Sequence, residues 1–411
     1  MSSKLPVAAI GAWLLVALYY FYQYALRSAP SVMMPQLTKA FGVNALGVSA
    51  IVGMFYYGYS PFSLVAGASM DRFGAKRTIP IGAAVVGLGS LLFGTGNVTA
   101  ANIGRLLQGA GGAFALIGAV YLITKNFPAT VAASLIGFTQ MFGMAGGSAG
   151  QFFVGPMMKS GLPWDQFWIY AGCLGLLIGV ILFILLPREA RKGNQSAGGL
   201  AALFSSLGKV FRNPQSILCG VISGLLFIPT TILGMTWGVR FLQEARGREF
   251  EAAVTLAATV PMGWMIGCPL LGFISDRLGR RKPVILGGTI MLLSVVGWVL
   301  FGNPEILRGA SVGILMGIAS GAAMIPYSVI KEANPPELGG TATGVQNFIN
   351  FTLSALLGPV FGSRLVQVSE GSNAMSLEHY QAGFKPLLYG IALALVLTCF
   401  LKETGPAAKK T

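Results

Sequence analysis

Apolar runs long enough to cross a bilayer recur from one end of this 411-residue chain to the other. A helix needs about 20 predominantly apolar residues to span the hydrocarbon core, and a soluble fold has no use for a dozen of them. Charged residues make up 10% of the chain, against about 25% in soluble domains. That is too little polar surface to clothe a water-soluble core. The runs fall at 7–34, 46–70, 77–97, 101–124, 133–157, 166–187, 215–242, 253–274, 283–302, 307–331, 341–367 and 383–401. The expected fold class is an all-α membrane protein with twelve transmembrane helices. No small-residue cleavage site follows the first run, so it reads as a retained helix rather than a signal peptide.

A polar stretch interrupts the pattern at midpoint and divides the chain into a bundle at 1–187, a linker at 188–214 and a bundle at 215–411. The linker's LAALFSSLGKVF segment has the pattern of a short amphipathic helix on a membrane surface. The net charge of +15 is not gathered into a patch of the kind that binds nucleic acid. Of the 28 basic residues, 18 lie in the tails and in the even-to-odd junctions. By the positive-inside rule both termini are cytoplasmic, and the expected location is the inner (plasma) membrane. Cys173, Cys219, Cys268 and Cys399 all sit in apolar runs without metal-ligand spacing, and they read as small hydrophobes.

Two junctions look alike. GASMDRFGAKR (Gly67–Arg77) joins the second and third runs, and GFISDRLGRRK (Gly272–Lys282) joins the eighth and ninth. Each has a glycine, three residues, Asp-Arg, one residue, a glycine and then basic residues. Gly67 and Gly272 are 205 residues apart, half the chain, as duplication of a six-helix unit requires. This pattern resembles the signature loop of the major facilitator superfamily. GRLLQGAGGAF (Gly104–Phe114) is similar to that family's fourth-helix motif, with Arg105, Gln108 and Gly109 matching, and GMAGGSAGQFFVGP (Gly143–Pro156) to part of its fifth-helix motif. The resemblance implies two pseudo-symmetric six-helix bundles. A carboxylate at a helix end among cations is a two-state contact. Asp71, Arg72 and Arg77, with Asp276, Arg277 and Arg280, are therefore expected to form conformational latches between rocking halves; topology charges and surface ion pairs are the plainer reading. Arg105 and Gln108 read as coupling or structural residues.

In that family the first, fourth, seventh and tenth helices line a central cavity. Tyr20, Gln23, Tyr24, Arg27 and Ser31 share a face of the first. The fourth offers Tyr121 and Lys125, the seventh Thr230, Thr231 and Trp237, the tenth Ser320, Tyr327 and Lys331. An ionised group inside a span is a functional candidate by default. For Arg27 the plain alternative is snorkelling to the outer interface, and Lys125 and Lys331 are otherwise topology charges. None of the thirteen acids falls mid-span, and the only histidine, His379, lies near the last outer loop. A basic, aromatic, acid-free cavity suits an anion rather than a cation. YYFYQYALRSAPSVMMP is similar to the first helix of bacterial organophosphate and organic-anion carriers, where an arginine at the position of Arg27 binds substrate. Those exchangers carry a second arginine in the seventh helix where this chain has Thr231, which points to a single-charge ligand such as a carboxylate. Asn347 and Asn350 in the eleventh run are further candidates to hydrogen-bond the same solute, or to glue helices together.

The expectation is a monomeric secondary transporter of a small organic anion, a carboxylate or sugar acid, with no cofactor. An exporter of drugs or metabolites, a transporter-like sensor and a lipid flippase are the alternatives. No HExxH, phosphate-binding loop or His/Cys cluster suggests an enzyme.

Overall fold

The computed structural model describes residues 7–127, 129–187, 199–303, 310–335, 338–369 and 375–405. With no water in the bilayer core, each backbone N–H and C=O must be satisfied within its own segment, and helices do this. The first six spans are α1 (Val7–Ser28), α2 (Ala45–Phe73), α3 (Ala75–Phe93), α4 (Val98–Asn126), α5 (Ala129–Phe152) and α6 (Trp164–Leu185). The second six are α7 (Pro214–Pro229), α8 (Phe250–Leu278), α9 (Lys282–Phe301), α10 (Ser311–Ser320), α11 (Gly339–Val368) and α12 (Leu377–Phe400). The bilayer has no hold on the helix ends, so side chains close them. Asn44 and Asn97 accept from Gly47 N and Ala100 N at 2.9 and 3.0 Å. His379 serves the same purpose, exchanging backbone and side-chain hydrogen bonds with Ser376 at the start of α12.

Several spans are broken. After α1 a tight turn carries the chain through Ala29–Val32 into a short helix, Met34–Phe41, which meets α2 at 100°. Beyond Pro229, α7 opens into a wide π-type turn, Thr230–Gly234, followed by a short helix, Gly238–Glu244. A tight turn at Gly321–Met324 separates α10 from its continuation, Ile325–Glu332. The linker helix, Gly199–Arg212, sets the edge of Phe211 against Phe348 of α11, ring centroids 5.9 Å apart. The rest of the expected linker, 188–198, lies outside the described residues.

The duplication extends from the loops into the packing. A Cβ on Gly58 of α2 would lie 2.1 Å from the Leu106 carbonyl oxygen of α4, and one on Gly263 of α8 2.1 Å from that of Ile314 in α10. Gly58 and Gly263 are separated by the same 205-residue step as the two loops. In both halves the backbones cross closely enough that only a glycine fits. These crossings fix the α2–α4 and α8–α10 pairs as rigid units. The halves then meet along α2 with α11 and α5 with α8. Ser60 Oγ donates to Phe348 O at 2.9 Å, Ser148 Oγ to Ala258 O at 2.9 Å, and Gln151 Nε2 to Gly234 O at 2.7 Å.

Candidate functional site

Arg27 lies in the last turn of α1 and is 2% exposed. Its guanidinium carbon is within 4.8–5.3 Å of five ring centroids: Tyr24 of α1, Phe55 and Tyr56 of α2, Phe227 of α7 and Phe351 of α11. Phe55 and Phe351 stand near the middle of their helices, so Arg27 sits at mid-depth between the halves. Its guanidinium turns onto rings of both halves rather than out to the surface. Nε and Nη2 donate to the Tyr56 hydroxyl at 3.3 and 3.2 Å, while Nη1 is buried without a partner. None of the four ion pairs among the described residues involves it. Ring faces attract the cation, each by roughly 0.5–2 kcal/mol, but do not replace the hydrogen bonds of water. The arrangement holds a dehydrated positive charge with donors to spare.

A small cavity adjoins this cage. Tyr24, Phe227 and Phe351 belong to both, and Tyr20, Trp264 and Tyr327 complete the aromatic wall. The guanidinium itself stands behind those shared rings rather than on the cavity surface. Polar groups are few and specific. Tyr20 donates to Gln140 Oε1 at 3.1 Å. Tyr327 donates to Asn347 Oδ1 and accepts from Asn350 Nδ2 at 3.4 Å. This leaves Asn347 Nδ2, a donor, and Asn350 Oδ1, an acceptor, both buried and unpaired one turn apart on α11. Each such group carries a desolvation penalty of about 1–3 kcal/mol, which a bound solute offering the complementary atoms would remove.

The cage is braced from behind. Arg105 of α4 donates to Val52 O and Leu26 O at 3.3 Å and to Gln108 Oε1 at 2.6 Å; Gln108 passes the chain on to Ser90 Oγ at 3.2 Å. Leu26 directly precedes Arg27, and the Phe55 ring lies 5.3 Å from Arg27 and 5.2 Å from Arg105. Arg105 and Gln108 thus hold the backbones that carry the cage.

Other expected residues are placed elsewhere. Thr231 turns its hydroxyl back on Ile228 O at 2.9 Å, and the neighbouring Thr230 accepts from Trp264 Nε1 at 2.8 Å behind the cavity wall; neither lines the cavity. Trp237 is buried beyond the wide turn, off the cavity, with the Arg240 guanidinium 5.9 Å from its ring. Tyr121 and Lys331 are half-buried and also off it; Lys125 lies 5.4 Å from the Tyr121 ring. Gln23 is buried against α4, its amide near Gly112 and without a hydrogen bond. Sequence reasoning missed Tyr56, Gln140, Phe227, Trp264 and Phe351.

The latch assignment needs correction in the second half. Asp276 pairs with Arg281, and Arg277 and Arg280 are exposed. Gly279 takes a left-handed backbone (φ 63°) that ends α8 and brings the third basic residue back onto the carboxylate. Arg281 also holds Glu332 at 2.9 Å, at the end of the α10 continuation. All three residues belong to one half, so this network does not bridge the two. In the first half Arg77 is exposed, and the side chains of Asp71 and Arg72 lie outside the described residues. Among the described residues, the ion pair that bridges the halves is Lys159–Glu251, 2.5 Å, at the opposite face.

A family model described as Major Facilitator Superfamily matches residues 16–359. The chain is 24% identical over 381 residues to a hexuronate transporter of Bacillus subtilis (strain 168), covering 88% of each chain. It is 23% identical over 396 residues to a probable galactarate/D-glucarate transporter of Escherichia coli (strain K12), 85% of each. A crystal structure of a bacterial homologue of the human lysosomal transporter Spinster, inward-facing and unoccupied, superposes with a TM-score of 0.71 at 16% identity, covering 97% of this chain and 96% of the other.

Proposed function

The chain belongs to the major facilitator superfamily, and from that premise we propose that it carries a small organic anion, a sugar acid or similar carboxylate, across the cytoplasmic membrane by alternating access. Arg27 is the anion anchor in this reading. One observation carries it: an arginine 2% exposed, at mid-depth between the halves, has a free Nη1 and no carboxylate partner among the described residues. A dehydrated ion left unpaired costs several kcal/mol, and a charge-assisted hydrogen bond from a substrate carboxylate offsets that cost. The unpaired donor and acceptor on Asn347 and Asn350 match a hydroxyl on the same solute. Relatives named for hexuronate and for galactarate/D-glucarate are in keeping with this class.

The halves rock about the α2–α11 and α5–α8 seams, exposing the cage to one side and then the other. The distribution of basic residues supports cytoplasmic termini. Counterflow of labelled hexuronates, aldarates and simple carboxylates into proteoliposomes tests the reading. A saturable sugar-acid flux abolished by Arg27→Gln is the expected result; an equal flux in the variant would defeat the anchor, and no anion flux at all would defeat the function.

A further inference from the structure

A second cavity, of about 70 Å³, shares no lining residue with the central one and lies where α8 begins, α9 ends and α10 begins. Its wall is apolar, with Leu242, Leu256, Val299 and Val312 on it, and the charged residues on it among the described residues are Arg246 and Arg248. Leu242, Leu256 and Val299 are half-buried, so the cavity has an open rim. Val299 is two residues from the end of α9 and Val312 is the second residue of α10. That depth, at the ends of several spans, is where acyl chains meet headgroups. Trp298 and Phe301 are exposed at the same end of α9, as aromatic side chains are at a membrane interface.

Neither arginine forms an ion pair among the described residues. Arg246 uses Nη2 on Val299 O and Leu300 O (2.7 and 3.3 Å) and Nη1 on Gly302 O (3.5 Å), capping the carbonyl end of α9, while its Nε is buried without a partner. The Arg248 guanidinium has no hydrogen-bond or ion-pair partner among the described residues. Of the nearby acids, Glu244 is engaged with Arg240 and the Tyr380 hydroxyl (2.7 and 2.8 Å) and Glu251 with Lys159, while the exposed Glu249 pairs with neither arginine among the described residues. Two cations at the rim of an apolar hollow, at headgroup depth, complement an anionic amphiphile. A small soluble anion makes no use of the apolar floor, and a zwitterionic lipid brings its own cation to the phosphate.

We propose that this cavity is a binding site for an anionic phospholipid, its phosphate held by Arg246 and Arg248 and the upper methylenes of one acyl chain lying over Leu242, Leu256 and Val312. Basic pockets between membrane helices recognise headgroups in this way. Native mass spectrometry of the purified full-length protein, titrated with phosphatidylglycerol and with phosphatidylcholine of equal chain length, tests it. The wild type retains phosphatidylglycerol about tenfold better, the scale of one charge-assisted contact. Arg248→Gln removes that preference, Leu256→Trp weakens phosphatidylglycerol binding by filling the hollow with both arginines in place, and Arg27→Gln changes nothing. Equal retention of the two lipids by the wild type overturns the proposal. So does phosphatidylglycerol binding that Leu256→Trp leaves intact, which marks headgroup attraction without a seated chain. Tight Arg248-dependent binding of inorganic phosphate with no lipid preference marks a soluble-anion site and overturns it as well.

Discussion

The guanidinium of Arg27 lies 5.0 Å from the ring of Phe351, so the buried cation of one six-helix half rests on an aromatic face of the other. Phe227, also from the second half, adds a ring at 5.3 Å. The charge is therefore solvated by residues of both halves, which the proposed rocking motion would separate. In that cycle, opening either side would strip rings from Arg27 and admit water, and closing would restore them.

Replacing Arg27 should uncouple stability from function. Removing one partner of a desolvated charge pair costs about 2–5 kcal/mol of binding, so Arg27→Gln should lower substrate affinity at least about thirtyfold. The substrate-free protein, relieved of an unpaired buried cation, should melt no lower than the wild type. Arg27→Lys should also fail, because an ammonium cannot present a planar fork between stacked rings. Isothermal titration and a thermal melt on the same preparations read both effects. A variant that binds normally, or one that simply unfolds, contradicts the account.

Tyr56 orients the anchor. Its hydroxyl accepts from two guanidinium nitrogens, at 3.3 and 3.2 Å, and is the only hydrogen-bond acceptor that Arg27 has among the described residues. Tyr56→Phe keeps the ring and removes the acceptor, a change of about 1 kcal/mol. The expected result is a KM raised about fivefold with maximal flux little changed. An unaltered KM would show that the aromatic cage alone holds the arginine.

Much of this was legible in the amino-acid order, and the failures have physical causes. The 205-residue step between the Asp-Arg loops already implied paired halves, and Gly58 and Gly263 repeat it in the helix crossings. Arg27 stood out because a span tolerates so few charges. A helical stripe, however, reports the face of one helix and not what that face meets, so Phe351 and Tyr56 were invisible as partners of Arg27. On α7 the wide turn at Thr230–Gly234 breaks the 3.6-residue period; Thr230 then bonds Trp264, Thr231 satisfies itself, and Trp237 falls off the cavity. In the RRK run three cations are equivalent on paper, and the left-handed turn at Gly279 selects Arg281.

The charge balance of the site predicts how flux depends on loading. A bound monoanion neutralises Arg27, whereas an unloaded carrier passes through its closed state with a bare guanidinium. Several kcal/mol of desolvation cost then slows the empty transition relative to the loaded one. Counterflow with substrate on both sides of a proteoliposome should exceed net efflux into substrate-free buffer by an order of magnitude or more. Equal rates would mean that the cage solvates the empty arginine as well as a carboxylate does.

The network around Arg281 should govern stability and leave gating alone. Arg281 binds Asp276 and Glu332, its backbone N–H donates to Glu403 at 2.6 Å, and Thr404 Oγ1 donates to Glu332 at 2.7 Å. This ties the start of α9, the end of the tenth span and the segment after α12 together within one half. Glu332→Gln weakens a partly buried charge-assisted contact, about 1.5–3 kcal/mol, and should lower the melting temperature in detergent. Lys159→Ala removes an exposed cross-half pair worth about 0–1 kcal/mol; it should leave melting unchanged and raise the fraction of molecules open at that face, read by distance measurements between spin labels on the two halves. The opposite pattern, a shifted conformational balance from Glu332→Gln with no loss of stability, would restore the Arg281 network as a latch between the halves.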